Sequence, residues 1–258
     1  MTAQEVYEYL LSRAAQRWEK TCDGLIAGDP AKPVRKAGVC FKLTAQLLAQ
    51  AAAAGIDVII THEPTFSHGD NRADAAPIDI RKWAMLDESG ITLYRFHDHA
   101  HNTLPDTIHA GFLRDLGLNP VKAYPRESLG VCRYELAQPA TPRAIAQLIE
   151  QTLGIEFVRI AGDPDFPVQT ICLGLGSVGF DQLNVLLDPG CDLFITGECG
   201  EVCTCEYFRD ACYFGEHKAI LLLGHYSAEF SGMRLLAEQL NDLLPTEYLD
   251  SGEVYHRA

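Results

Sequence analysis

The strongest constraint on this chain is that part of it is written twice. Gly28-Asp29-Pro30-Ala31-Lys32-Pro33-Val34 returns 134 residues later as Gly162-Asp163-Pro164-Asp165-Phe166-Pro167-Val168. Gly55-Ile56-Asp57-Val58-Ile59-Ile60-Thr61-His62-Glu63 returns 135 residues later as Gly190-Cys191-Asp192-Leu193-Phe194-Ile195-Thr196-Gly197-Glu198. Two matches in one order, at almost one offset, mark two copies of one structural unit. The expected division is a first α/β repeat, 1–125, and a second, 126–258. The two halves are expected to form one compact unit with the functional site between them.

Each copy opens with a Pro-bounded apolar strand, Val34–Phe41 or Val168–Leu175. In the first copy a helix follows, with Thr44 as N-cap and Gly55 as its stop. In the second the corresponding helix is weaker, at about 180–187, and Pro189 and Gly190 end it. The next element is a short unbroken apolar run, Val58–Ile60 or Leu193–Ile195, which suits a strand buried on both faces. Strand, helix and strand make a right-handed parallel crossover. A third apolar run completes each copy and leads to a histidine: Ile91–His97 and Ala219–His225. The predicted fold is therefore α/β, a duplicated three-layer α/β/α unit with mixed, largely parallel sheets. Thr141-Pro142 starts a further helix running to about Leu153, and Val6, Leu10, Leu11 and Ala14 give the N-terminal segment helical spacing.

Composition excludes several function classes. The net charge is -14, without the basic face that a phosphate backbone requires, so no nucleic-acid partner is expected. No run reaches the ~18 apolar residues of a membrane span, and the N-terminus lacks a signal-peptide pattern; a cytoplasmic protein with no membrane partner is expected. The nine cysteines suit reduced thiols better than a disulfide framework. Cys199, Cys203, Cys205 and Cys212 lack the paired C-x-x-C knuckles of zinc or iron–sulfur sites and read as thiols in and around a helix.

Polar residues collect just past the C-terminal ends of the buried strands, the edge where open α/β sheets place ligands and catalysis. One loop carries His62 and Glu63, with His68 and Asp70 close behind; the next carries His97, Asp98, His99 and His101; the second half offers His225 and Glu229. Histidine with carboxylate suits zinc, manganese, iron or nickel. His225 and Glu229 stand four apart, so a helix beginning at that turn puts both on one face. A bridging carboxylate holds two ions ~3.5–4 Å apart in two-metal hydrolytic sites. His109, in a predicted helix, and His217, in an acidic loop, read as structural. Gly174-x-Gly176-x-x-Gly179 matches a dinucleotide fingerprint, a weak signal when alone.

These residues resemble the NIF-three-like family, dinuclear-metal-centre hexamers often labelled GTP cyclohydrolase I type 2. Trp18–Pro30 is similar to its opening W-D-N-x-G-L-x-x-G-D-P. Asp57–Pro64 resembles its D-x-I-I-T-H-H-P, and His97–His101 its H-T-N-L-D. Asp192–Gly197 resembles D-x-[YF]-I-T-G-D, and Gly224–Glu229 resembles G-H-Y-x-x-E. The resemblance covers nearly the whole chain. It implies that His62, His225 and Glu229 are metal ligands, that Glu63 stands where a second histidine is usual, and that His101 stands where an aspartate is usual, with Asp98 as the alternative. The exchange keeps three histidines and two carboxylates. The resemblance further implies two divalent ions (zinc, manganese, iron or nickel) and a homohexamer.

The expected function is a metal-dependent hydrolase of a small molecule, GTP cyclohydrolase I type 2-like by resemblance, with His97 or Asp98 as general base; Glu198 is a further candidate. No P-loop or guanine-reading motif points to GTP itself. The alternatives are a non-catalytic metal-handling or regulatory binding protein and a metal-free interaction scaffold.

Overall fold

The computed structural model describes residues 1–124, 130–179 and 191–255. The chain forms two compact units: residues up to Thr107 joined by those from Gly232 on, and Ile108–Ser231. Both are mixed α/β.

The first unit holds β1 (Gly24–Ala27), β2 (Ala37–Cys40), β3 (Val58–Thr61), β4 (Thr92–Arg95) and β11 (Thr246–Tyr248), in the order β1-β4-β3-β2-β11. Strands β4, β3, β2 and β11 are parallel, and β1 runs antiparallel to β4. Every residue of β2 and β3 is buried, as their unbroken apolar runs require. Expected over Val34–Phe41, β2 is shorter because residues before it serve another purpose: the Arg35 amide donates to Asp57 Oδ2 (2.9 Å) instead of entering the ladder. The C-terminal strand β11, which the sequence reading groups with the second half, pairs with β2 of the first sheet.

The second unit holds β5 (Lys122–Ala123), β6 (Val131–Ala140), β7 (Arg159–Gly162), β8 (Val168–Ser177), β9 (Leu193–Glu198) and β10 (Ala219–Leu222). Their order is β5-β6-β8-β9-β10-β7. The centre β8-β9-β10 is parallel, and β7 runs antiparallel to β10.

The repeat reappears bond for bond. Strands β1-β4-β3-β2 correspond to β7-β10-β9-β8. The Thr92 amide donates to Asp57 O (3.0 Å) and the Ala219 amide to Asp192 O (3.1 Å); Phe96 N donates to Thr61 O (2.9 Å) and Leu223 N to Thr196 O (3.0 Å). Asp29 Oδ1 accepts from Ala31 N, and Asp163 Oδ1 from Asp165 N. Gly28 (φ 91°) and Gly162 (φ 95°) share a left-handed conformation. A Cβ on either would strike backbone at the start of the neighbouring strand, Thr92 Cα at 2.6 Å or Lys218 O at 2.3 Å. That is why both copies keep Gly-Asp-Pro there.

The expected helices form where their caps lie. Thr44 Oγ1 accepts from Leu47 N at the head of Ala45–Ala53, and Thr141 Oγ1 from Ala144 N at the head of Pro142–Leu153. Thr2 and Glu5 form a capping box on Ala3–Leu11. The helix expected at 180–187 lies outside the described residues. Among the described residues no helix is long and apolar enough to cross a membrane.

Two expectations are corrected. Cys172, in β8, is disulfide-bonded to Cys191, just ahead of β9 (Cα–Cα 6.0 Å). Adjacent parallel strands bring these buried sulfurs together, so the thiols are not all free. The glycine fingerprint is also not a phosphate turn, since Gly174 and Gly176 lie inside β8. A Cβ on Gly174 would meet the Phe194 ring at 2.5 Å, and one on Gly176 would meet Glu229 Oε1 at 2.3 Å. These glycines make room for neighbours.

Candidate metal centre

In the first unit the loops after β3 and β4 bring three imidazoles together. Ring centroids of His62 and His97 stand 4.4 Å apart and nearly parallel, and His101 lies 5.2 Å from each. One ring nitrogen from each of the three lies within 4.8 Å of the others. His62 and His101 are buried.

Neighbouring acceptors set the tautomers. His62 Nδ1 lies 3.1 Å from Phe96 O, and His101 Nδ1 lies 3.3 Å from a side-chain oxygen of the buried Asp106. A carbonyl or carboxylate on Nδ1 keeps the proton there and makes Nε2 the lone-pair nitrogen, the arrangement that orients metal-binding histidines. His99 differs. Its Nδ1 lies 2.7 Å from Asp23 Oδ2 and its Nε2 accepts from Trp18 N, so both nitrogens serve the fold.

His97 sits among carboxylates. Its Nδ1 is 2.9 Å from Asp98 Oδ1 and its Nε2 is 3.4 Å from Glu63 Oε1. Burial opposes its charged form, but hydrogen bonds to Asp98, Cys22 and Glu63 override that and raise its pKa to about 12. The same bond to His97 holds the Asp98 carboxyl far below the usual range. Glu63 also faces Arg95, whose Nε donates to His62 O (3.1 Å) and whose terminal nitrogens lie 4.0 Å from Glu63 and 3.9 Å from Asp70. Asp70 is held by the Thr65 amide and belongs to this charge network, whereas His68 is exposed beside Ser67.

Asp23 anchors the loop. Its buried carboxylate accepts from the backbone amides of His97 (2.5 Å), Asp98 (3.1 Å) and His99 (2.8 Å). Sequence reasoning saw Asp23 only as part of a motif and missed its role, along with those of Arg95 and Asp106. A carboxylate just before a strand that pairs with β4 was the available signal.

In the second unit His225 and Glu229 share a face of the helix His225–Asn241, as the four-residue spacing predicts. His225 Nε2 lies 3.4 Å from Glu229 Oε2, and His225 Nδ1 lies 2.9 Å from Glu198 Oε1. Glu198 therefore orients His225 the way Asp106 orients His101. Glu229 is buried and occupies space that Gly176 leaves open. His109 is structural, bonded to Tyr134 and Gly130 O, and His217 pairs with Asp163 at the surface. Cys199 and Cys205 stand 3.9 Å apart; burial pushes the Cys199 thiol up to about 12, so it persists as a thiol.

These groups of histidine and carboxylate have the donors that a borderline divalent ion takes. The family model described as Duf34/NIF3 (NGG1p interacting factor 3) matches residues 1–251. A GTP cyclohydrolase 1 type 2 homolog of Clostridium perfringens is 27% identical over 228 residues, 87% of this chain and 84% of that protein. Among solved structures, protein ybgI, described as of unknown function, superposes with a TM-score of 0.81 at 24% identity, covering 99% of this chain and all of that one. A Bacillus cereus protein related to NIF3 gives 0.79 at 16% identity, covering 100% and 99%.

Proposed function

Because the chain belongs to the Duf34/NIF3 family, we propose that it binds two divalent metal ions and acts as a metal-dependent hydrolase on a small molecule. The observation carrying the metal reading is the group His62, His97 and His101, whose two buried members, His62 and His101, have Nδ1 held by an acceptor. The ligand assignment proposed is His62, Glu63, His101, His225 and Glu229. Divalent ions supply a lowered pKa for bound water and Lewis-acid polarisation of a scissile group.

The chain's own residues then have defined tasks. Asp106 and Glu198 fix the rings of His101 and His225. Arg95 balances the charge of Glu63. His97 and Asp98 hold a proton between Nδ1 and Oδ1, ready for delivery to a leaving group. The name of the Clostridium perfringens relative makes GTP the first substrate to try, and the family resemblance makes a homohexamer the expected assembly.

A non-catalytic metal-handling role is the second reading. It is favoured by the position of His97, a predicted catalytic group that lies within ligand reach of His62 and His101.

Elemental analysis of protein purified without chelator tests the metal reading, with about two ions per chain expected. Loss of both ions on replacing either His62 or Glu229 with alanine supports one shared dinuclear centre; loss of one ion supports two separate sites. Protein that carries no metal and takes up none from added zinc, manganese or iron is a metal-free scaffold. Metal-loaded protein is then assayed on GTP and a panel of phosphoesters and amides. Turnover that disappears in Glu229→Ala, with a particle of six chain masses retained, supports the hydrolase. No turnover with metal bound favours metal handling.

A further inference from the structure

Cys22 is an exposed thiol on the loop before β1, and no part of the metal reading above uses it as a ligand. Its Sγ lies 3.4 Å from Asp98 Oδ1, which is in turn 2.9 Å from His97 Nδ1. One ligand atom from each of Cys22, His97 and Asp98 lies within 4.8 Å of the other two. Bonds of about 2.0–2.3 Å to a tetrahedral ion give ligand–ligand edges of roughly 3.3–3.8 Å. The sulfur–oxygen distance already matches such an edge, and the nitrogen–oxygen distance needs only a few tenths of an ångström of opening. The trio is held from behind. Asp98 Oδ2 accepts from Thr21 Oγ1 (2.7 Å) and from the Cys22 amide (3.2 Å), which leaves Oδ1 turned toward the thiol and the imidazole. Asp23 fixes the backbone of His97 and Asp98 from the other side.

We propose that Cys22, His97 and Asp98 form a thiolate-bearing metal site that takes a thiophilic divalent ion such as Zn²⁺ or Fe²⁺. Binding exchanges the Cys22 S–H bond for a sulfur–metal bond and the N–H bond that His97 directs at Asp98 for a nitrogen–metal bond, and both protons leave to solvent. Three protein ligands at an exposed edge leave a coordination position for water or substrate, the pattern of open rather than structural sites. His97 is the hinge of the arrangement. Its Nδ1 faces Asp98 while its Nε2 lies on the Glu63 side, so one ring connects the thiolate site to the histidine group. The inference rests on the metal-binding reading and adds sulfur to its ligands; with this ion bound, His97 and Asp98 serve as ligands in place of the proton-holding pair described above.

Cobalt(II) titration of the metal-free protein separates the two claims. Visible d–d bands report cobalt binding of any kind; a near-ultraviolet charge-transfer band reports a cobalt–thiolate bond. The wild type is expected to show both, and Cys22→Ser is expected to lose at least tenfold in the charge-transfer band while keeping d–d absorption. A wild type with d–d bands but no thiolate band overturns this inference and leaves the histidine reading standing. A thiolate band of full strength in Cys22→Ser also overturns it, because the sulfur then lies elsewhere. Absence of every band overturns both. As a second measurement, zinc should slow alkylation of Cys22 by iodoacetamide at least tenfold, read by peptide mass spectrometry; an unchanged rate counts against the site.

Discussion

Replacing Asp23 with alanine probes the anchor on which the ligand loop hangs. The carboxylate is wholly buried and receives four hydrogen bonds from nitrogen, the amides of His97, Asp98 and His99 and the His99 ring at Nδ1, with the Cys22 thiol a weaker donor at 3.8 Å. Hydrogen bonds to a charged group contribute about 1.5–3 kcal/mol each. They do not add fully, because water enters the vacated space and the loop relaxes. The penalty of leaving buried donors without an acceptor, about 1–3 kcal/mol each before the loop relaxes, is the better guide. We therefore expect Asp23→Ala to lose about 4 kcal/mol, a large part of the ~5–15 kcal/mol that a folded protein has. Asp23→Asn keeps one acceptor but turns an amide toward N–H donors, and should lose about 2–3 kcal/mol. Urea unfolding followed by circular dichroism measures both. The loop also aims His97 and His101, so metal affinity should fall about 10–100-fold, as it does when groups behind metal ligands are removed. A loss below about 1 kcal/mol in Asp23→Ala, or wild-type metal affinity, would refute the anchoring role.

Lys82 gives a pH prediction. Burial lowers its pKa to about 8, and its Nζ donates to Thr65 O (2.6 Å) and Leu43 O. The unfolded chain holds this proton up to about 10.4. The lysine thus disfavours folding below pH 8, and that penalty is relieved as pH rises from about 8 to 10.4, by at most about 3 kcal/mol. Relative to Lys82→Met, the wild type should gain stability across that window; parallel pH profiles contradict the assignment. Gly176→Ala should displace Glu229, whose Oε1 would stand 2.3 Å from the new Cβ at a backbone with φ +91°. A destabilisation of about 1–3 kcal/mol with weakened metal uptake is expected in thermal melts and metal titrations. Thr44→Ala removes the N-cap of Ala45–Ala53 and should lose about 1 kcal/mol without touching metal content.

Much of the fold was legible because it depends on local chemistry that sequence displays. Thr44 and Thr141 mark helix starts through their hydroxyls, and Val58–Ile60 announces a strand buried on both faces. The Gly-Asp-Pro repeat signals a turn that admits no side chain. Strand β11 was not legible: Thr246–Tyr248 alternates no apolar residues and forms only because β2 offers an edge. The site showed the same contrast. His225 and Glu229 were readable as a pair because helical spacing is fixed. His99 resembles His97 and His101 on the page, yet Asp23 and Trp18 occupy both its nitrogens. Cys22 is 75 residues from His97 in sequence, so no spacing rule could join them. The Cys172–Cys191 pair escaped for a similar reason, since only the register of β8 and β9 brings it together.

The duplicated frame has a consequence for how the two halves diverged. His62 and Gly197 hold the same place, one residue past the matching threonines Thr61 and Thr196. In the first half that place carries an imidazole. In the second, a Cβ on Gly197 would stand 2.6 Å from Gly176 O and 2.9 Å from His225 Cα, so no side chain fits there. The imidazole of that half comes instead from His225, one strand over. A mutation that restored symmetry by placing histidine at 197 would evict the backbone that carries His225. The two copies are therefore not interchangeable at this place: they share a ladder, but the second half has room for backbone alone where the first carries an imidazole.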